Sequence, residues 1–257
     1  MPAGLEVYTD TGVLQVTDTY SNYLFDRKVL LTGTLITTWP KYGYFYTIEV
    51  DNDSMVAFMG NTYGSGNFFV GLNTCTIGST KTVYEFFSHD YSNSAPSATF
   101  YIFSINKEPP SSNYGLEVYT DTGKLAFSSN AKYMKPITTW SGLDYRTGMS
   151  FIQPPPGYNG GFDVKSMITS FGTSKAITVA SPSGWWALTV DGDGDGTYFW
   201  DEDIWGCSYG VLNNTLYVAD NLLGGRSTGP VVTPSPPNPA SYEFPQYYGM
   251  LIDVTGL

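Results

Sequence analysis

GLEVYTDTG occupies Gly4–Gly12 and recurs unchanged at Gly115–Gly123. A second shared string, ITTW, follows each copy, at Ile36–Trp39 and at Ile137–Trp140. Two shared strings in the same order indicate an internal duplication in which each unit opens with the same small structure. The first string recurs 111 residues later (115 − 4) and the second 101 residues later (137 − 36). The first unit therefore has ten extra residues (111 − 101) between its strings, an insertion that we place within Val13–Leu35.

The repeated string predicts a β-hairpin. Leu5 and Val7 alternate with polar residues and so fall on one face of a strand. Asp10 and Gly12 then supply turn chemistry, because Asp can bond its own backbone and Gly accepts a positive φ. Apolar alternation resumes after each turn, at Leu14 and Val16, then Leu125 and Phe127. Each unit is therefore predicted to begin with a hairpin that has one apolar face.

Most of the remaining chain is also typical of short strands. The candidate segments are rich in aromatic and branched residues and are separated by Gly, Asn, Ser and Pro. They are Lys28–Trp39, Tyr44–Val50, Met55–Met59, Thr82–Phe87, Thr99–Ile105, Met149–Gln153, Val164–Thr169, Ala176–Ala180, Trp185–Val190, Leu216–Ala219 and Tyr247–Val254. No window shows a sustained helical period. The predicted fold is all-β, with two tandem, internally duplicated β-sandwich-like domains.

The boundary between the two units is marked by Lys107–Asn113, whose sequence KEPPSSN cannot continue a strand. This predicts a first domain over residues 1–108 and a second over residues 114–257, the second enlarged by long loops. The longest loop is Gly224–Pro245, which has six prolines and is expected to be an irregular surface arm.

Composition narrows the class of protein. The 257 residues include 16% aromatic and only 14% charged residues, which is typical of a folded chain and not of disorder. The net charge of −11 disfavours binding to nucleic acid and to anionic membrane surfaces. No apolar run is long enough to span a membrane, and MPAGLEVYTD has no signal-peptide pattern. We therefore expect no membrane insertion, and folding in the compartment of synthesis.

The second opening comprises Tyr114–Tyr119, then GKLAFSS at Gly123–Ser129, then Lys132–Met134. These stretches resemble tail-region proteins of long-tailed bacteriophages. Those proteins open with a similar GL-x-V hairpin and can repeat it ahead of a G-x-L-x-F-x-S stretch. The resemblance covers only the start of each unit, and the first copy departs from it at Val13–Thr17.

The resemblance implies a location, the virion tail, rather than an activity. The expectation is a non-enzymatic structural protein of the tail tip or baseplate, made in the host cytoplasm. It would be a homo-oligomer in the particle and would dock to other phage tail subunits. Low charge and abundant Tyr, Phe and Gly suit such contact surfaces. The alternative is a receptor-binding or glycan-binding module of the particle, and a weaker alternative is a hydrolase.

The sharpest local motif runs from Asp191 to Glu202, with the sequence DGDGDGTYFWDE. It satisfies the calcium-loop pattern D-x-[DN]-x-[DN]-G-x5-E. Side-chain oxygens of Asp191, Asp193, Asp195 and Glu202, with the carbonyl of Thr197, would bind Ca²⁺. No helix flanks the motif, so the predicted site is a loop between strands and not an EF-hand. The other interpretation is an acidic hairpin tip that keeps the surface soluble.

Aromatic residues crowd around this motif at Trp185, Trp186, Trp200 and Trp205. Such residues beside polar loops suit sugar or protein recognition, which is the basis of the glycan-binding alternative. The other interpretation is that alternate members pack the core of the second unit. Because Trp185 and Trp186 are adjacent on a predicted strand, they should point to opposite faces.

The remaining candidates are weaker. Asp10 and Asp121 lie in Asp-Thr-Gly triplets like those of aspartic proteases, but their flanking residues fit hairpin turns better. His89 is the only histidine, so no catalytic triad can form. Cys75 and Cys207 lack metal or disulfide spacing and are expected to be small, partly buried residues. No catalytic residue is therefore predicted.

Overall fold

A computed structural model gives the structure of most of the chain. It describes residues 6–8, 14–17, 23–38, 41, 43–63, 66–67, 69–88, 95–105, 107–108, 115–120, 122–123, 125–142, 150–152, 162–169, 175–179, 184–192, 198–212, 215–231, 241–244 and 247–257. All regular structure in these ranges is β-strand, which confirms the all-β prediction. The described residues contain no helix long and apolar enough to cross a membrane.

Among the described residues, the first unit contributes eleven strands. They are β1 (Glu6–Tyr8), β2 (Leu14–Thr17), β3 (Leu24–Thr32), β4 (Thr34–Ile36), β5 (Gly43–Asp51), β6 (Ser54–Gly60), β7 (Thr62–Tyr63), β8 (Gly66–Asn67), β9 (Gly71–Ile77), β10 (Lys81–Ser88) and β11 (Ser97–Ser104). The described part of the second unit contributes another eleven. They are β12 (Glu117–Tyr119), β13 (Leu125–Ser128), β14 (Lys135–Gly142), β15 (Ser150–Ile152), β16 (Phe162–Thr169), β17 (Lys175–Val179), β18 (Gly184–Gly192), β19 (Tyr198–Leu212), β20 (Thr215–Val231), β21 (Ser241–Phe244) and β22 (Tyr247–Asp253).

Both opening strings form antiparallel hairpins, β1–β2 and β12–β13, as predicted. Their registers correspond rung for rung: Val7 lies opposite Val16, and Val118 opposite Phe127. Each ladder is interrupted at the same place, between the Val and the following Tyr. In the second copy the Gly123 amide donates to the Thr120 carbonyl over 2.9 Å, and Gly123 has a φ of +80°. The glycine thus closes the turn in a conformation that other residues rarely adopt.

Six strands, in the order β14-β22-β17-β6-β11-β3, form what we call the central sheet. Three of these strands come from each unit, and the units meet where β17 lies beside β6. The two halves have the same plan. In each half the last strand of the unit, β11 or β22, lies between two earlier strands of that unit.

Two further sheets complete the structure. The N-terminal sheet has the order β4-β5-β10-β9, and the C-terminal sheet has the order β15-β16-β20-β19-β18-β21. A β-bridge joins them, because Val70 and Tyr209 exchange backbone hydrogen bonds of 2.9 and 2.8 Å. Side chains of both sheets share one buried cluster with the central sheet. The two predicted units therefore do not have separate cores among the described residues.

The main core is organised around one row of apolar residues across the central sheet. Register places Leu251 beside Ile177, Ile177 beside Phe58, and Phe58 beside Phe100. All four side chains are buried. Phe86 of the N-terminal sheet covers this row, with ring centroids 5.2 Å from Phe58 and 5.0 Å from Phe100. Aromatic packing across the layers thus fixes the distance between the two sheets.

The opposite face of the central sheet is also buried in its middle. Tyr101 and Phe103 alternate with Phe100 and Ile102 along β11, and all four side chains are buried. Phe103 packs edge-to-face on Phe25, with ring centroids 6.0 Å apart. Burial on both faces explains why β11 is an almost continuous apolar run instead of an alternating one.

The sequence predicts that Trp39 matches Trp140, but the two ITTW strings begin in different sheets. Ile36 ends β4 in the N-terminal sheet, whereas Ile137 lies within β14 of the central sheet. The ten-residue insertion was calculated from the spacing of these strings. Because the strings begin in different sheets, that length is not a comparison of equivalent strands. Trp39 lies outside the described residues, as does most of the predicted boundary at residues 107–113. The division into tandem sandwich-like domains stays a prediction.

The predicted irregular arm Gly224–Pro245 is also wrong over much of its length. Strand β20 continues to Val231 and pairs with β19, and residues 241–244 form β21 beside β18. Proline is tolerated here because Pro230 falls at an irregularity of the β19–β20 ladder, between the rungs of Tyr198 and Trp200. Residues 232–240 lie outside the described range.

We expect Phe58→Ala to lower the free energy of unfolding by about 3–5 kcal/mol, because it removes a fully buried ring between the row and Phe86. The control is Leu30→Ala, whose side chain is 65% exposed, and its effect should stay within about 0.5 kcal/mol. Urea unfolding followed by fluorescence measures both values. Equal losses in the two variants would contradict the position of the core.

Candidate functional site

The acidic motif lies at the end of a long hairpin formed by β18 and β19. Asp191 lies opposite Phe199, and the last described rung joins Gly192 to Tyr198. Glu202 is further down the ladder, opposite Leu188. Of the predicted calcium ligands, Asp191 and Glu202 are therefore on strands, and Asp193, Asp195 and Thr197 lie outside the described residues. Nothing in the described ladder decides between a calcium loop and a solvated tip, so the calcium site stays a prediction.

Calcium should raise the melting temperature if the hairpin tip binds it. Carboxylates about 4 Å apart repel by about 1 kcal/mol per pair even in water, so a compact acidic tip needs a counter-ion. At calcium a hundredfold above its dissociation constant, binding adds about 2.7 kcal/mol of stability. We expect Asp193→Ala combined with Asp195→Ala to remove the rise. Identical melting curves of the unmodified chain in calcium and in chelator would eliminate the site.

The tryptophans beside the motif are brought together by the same ladder. Trp185 lies opposite Trp205, and Trp186 opposite Ile204. Trp205 is half-buried, and Ile204 packs against the buried pair Phe45 and Phe87. This part of the hairpin therefore approaches the core, and the glycan-binding interpretation of the tryptophans stays a prediction.

The remaining candidates from the sequence are two aspartates, one histidine and two cysteines. Asp10, Asp121 and His89 lie outside the described residues, so the expectations about them stay predictions. Cys207 is buried, whereas Cys75 is exposed, and the two form no disulfide. Cys75 is more exposed than expected, because β9 is the last strand of its sheet and its outer residues face water.

The structure shows a cleft that local motifs did not indicate. Its volume is about 670 Å³, which is within the range typical of small-molecule sites. We call it the aromatic cleft, and its lining comprises Tyr23, Asn52, Ser54, Met55, Val56, Cys75, Tyr84, Thr139, Trp140, Ser141, Tyr248, Gly249 and Met250. These residues come from both units and from both the central and N-terminal sheets. Only the folded chain brings them together, which is why sequence patterns missed them.

The largest ring in the cleft is held firmly. Trp140 packs against Tyr209 on one side, with ring centroids 5.6 Å apart. It also lies directly over Gly249, where an added Cβ would be only 2.1 Å from the ring. The indole Nε1 is buried and has no hydrogen-bond partner. Gly249 is therefore required for this position of Trp140, and the ring forms a rigid wall of the cleft.

Two facing groups in the cleft, Tyr84 and Cys75, have raised pKa values. Burial, and then the nearby Cys75, raise the pKa of Tyr84 to about 12. Cys75 lies opposite Tyr84 on the neighbouring strand, and partial burial raises the pKa of its thiol although the residue is exposed as a whole. Both groups are therefore protonated and uncharged at neutral pH.

A second candidate surface is formed by edge strands. Each of the four edge strands of the central and N-terminal sheets carries a large exposed apolar side chain, and these are Leu30 on β3, Leu35 on β4, Ile77 on β9 and Ile137 on β14. Ile77 is the most exposed, at 73%. Native proteins usually protect sheet edges with charges, Pro or covering segments, because an unpaired edge accepts another strand.

No family model, curated protein or solved structure matches this chain. The aromatic cleft, the edge strands and the acidic hairpin are therefore the features from which its function is inferred.

Replacement of Tyr84 should change how stability depends on pH. A tyrosine in the unfolded chain loses its proton near pH 10, whereas Tyr84 in the folded chain keeps it to about pH 12. The stability from this difference is complete below pH 10 and is lost as pH rises to about 12. The unmodified chain should therefore lose more stability across this interval than Tyr84→Phe does. Urea unfolding at the two ends of the interval measures this, and equal losses would contradict the raised pKa.

Proposed function

We propose that this chain is a non-enzymatic structural component of a bacteriophage tail tip or baseplate, present in several copies. It docks to neighbouring tail proteins, including copies of itself, through the edges of its sheets. The observation that favours docking is the exposed apolar residue on each of the four edge strands. The resemblance of the opening strings to tail-region proteins supports the location in the particle.

The edges suit strand addition. The backbone groups on the outer side of an edge strand are unpaired, and a partner strand can satisfy them while covering an apolar side chain. Strands β3 and β14 are the first and last strands in the order of the central sheet, with Leu30 on one and Ile137 on the other. A bridge between Leu24 and Tyr133 joins the start of β3 to the segment just before β14. Beyond this bridge, the described residues show no further strand on the outer side of β3 or β14, so each can accept a neighbour there. This geometry favours a chain that sits between other subunits.

The location is tested directly on purified particles. We expect mass spectrometry of intact virions to detect the chain, and labelled antibodies to mark the tail end in electron micrographs. The chain should remain with particles after washing in high salt, because the proposed contacts are apolar and backbone-mediated. Its absence from intact, purified virions would refute the proposed location.

The docking surface is tested by placing lysine on the edge strands. We expect the purified chain to self-associate in a concentration-dependent way, and the double variant Leu30→Lys, Ile137→Lys to be monomeric. Lysine on an edge strand opposes strand addition, and both positions are exposed, so the fold should be retained. Thr255→Lys and Thr37→Lys together add the same charge at exposed positions outside the strands. Light scattering during size-exclusion chromatography measures the mass. Equal association of both double variants would contradict docking through these edges.

A further inference from the structure

We propose that the aromatic cleft binds an uncharged saccharide. This inference does not depend on the proposed tail function, because it rests on different residues. The cleft also differs in place from the tryptophans of the β18–β19 hairpin, none of which is among the described residues that line it.

The lining of the cleft carries no formal charge. The chain has 23 acidic and 12 basic residues, yet none of the described residues lining the cleft is Asp, Glu, Lys, Arg or His. A phosphate or carboxylate bound here would have no cationic partner, and a bound cation would have no carboxylate. Burying an unpaired charge is costly, so the cleft selects against charged ligands. Tyr84 and Cys75 do not alter this conclusion, because both stay neutral at physiological pH.

The lining also combines flat rings with hydroxyl groups. Among the lining residues, Trp140 and Tyr248 are aromatic, and Ser54, Thr139 and Ser141 carry neutral hydroxyls. The C–H groups on one face of a pyranose carry partial positive charge and pack on the negative face of an aromatic ring. The sugar hydroxyls lie around the rim of the ring and need neutral donors and acceptors. A saccharide matches both kinds of lining, whereas a purely apolar ligand would leave the polar groups unpaired.

One polar group of the cleft is preorganised. The side-chain amide of Asn52 donates to the Gly78 carbonyl over 3.0 Å and accepts from the Thr82 hydroxyl over 2.8 Å. These two bonds fix the orientation of the amide. A primary amide has two N–H donors and two acceptor lone pairs, so these two bonds leave one of each unused. A sugar hydroxyl can pair with either, because it both donates and accepts.

Tyr248 provides the variant that tests the cleft. It is 40% exposed, so its removal should not unfold the chain, and Tyr119 is a matched control that is 51% exposed and does not line the cleft. The probes are cellohexaose, maltohexaose and hexa-N-acetylchitohexaose, with sialyllactose and oligogalacturonate as charged comparators. We expect calorimetry to detect at least one neutral probe with a Kd below about 1 mM. Tyr248→Ala should weaken it at least tenfold, and Tyr119→Ala less than twofold.

A second measurement uses the unmodified chain. Cys75 lines the cleft and is exposed, whereas Cys207 is buried, so iodoacetamide at mildly alkaline pH should alkylate Cys75 selectively. The neutral saccharide that binds should slow this alkylation, and the charged comparators should not. Absence of binding by all three neutral probes would overturn the proposal. So would equal binding of charged probes, equal effects of the two tyrosine variants, or bound saccharide that leaves Cys75 unprotected.

Discussion

The contact of Phe86 with the apolar row of the central sheet is the constraint on which the other features depend. The row runs from Leu251 through Ile177 and Phe58 to Phe100, and it crosses from the second unit to the first between Ile177 and Phe58. Phe86 then holds the N-terminal sheet over the first-unit half of the row. Because a close-packed interior transmits small changes in shape, the spacing of the layers and the width of the aromatic cleft follow from these rings.

The symmetry of the central sheet explains why the chain has both a shared core and open edges. Each unit places its last strand between two earlier ones, and the units then join through β6 and β17. That junction uses one edge of each three-stranded half. The other edges, β3 and β14, approach each other only where Leu24 bridges Tyr133, just before β14. The pairing of the units thus covers one edge of each half and leaves the parts of β3 and β14 beyond this bridge available for neighbours.

Sequence patterns identified those strands whose apolar residues are also the ones buried in the core. Predicted strands Tyr44–Val50 and Thr82–Phe87 correspond to β5 and β10 because their apolar residues face the shared core. Strand β9 was missed because its outer half is polar and exposed at the end of a sheet. The length of β19 was missed because an acidic, glycine-rich motif is typical of a loop, although a long ladder can continue beside it. The cleft could not be predicted from sequence patterns, since its residues lie far apart along the chain.

Strand β14 connects the two proposed surfaces. Thr139, Trp140 and Ser141 line the aromatic cleft, and Ile137 is exposed on the same strand, next to an irregularity of the β14–β22 ladder. A partner strand added to β14 would therefore lie beside the cleft and restrict access to it. No residue of β3 lines the cleft, so a partner there would leave it open. Docking at β3 is thus compatible with ligand binding, whereas docking at β14 and saccharide binding would compete for neighbouring parts of one strand.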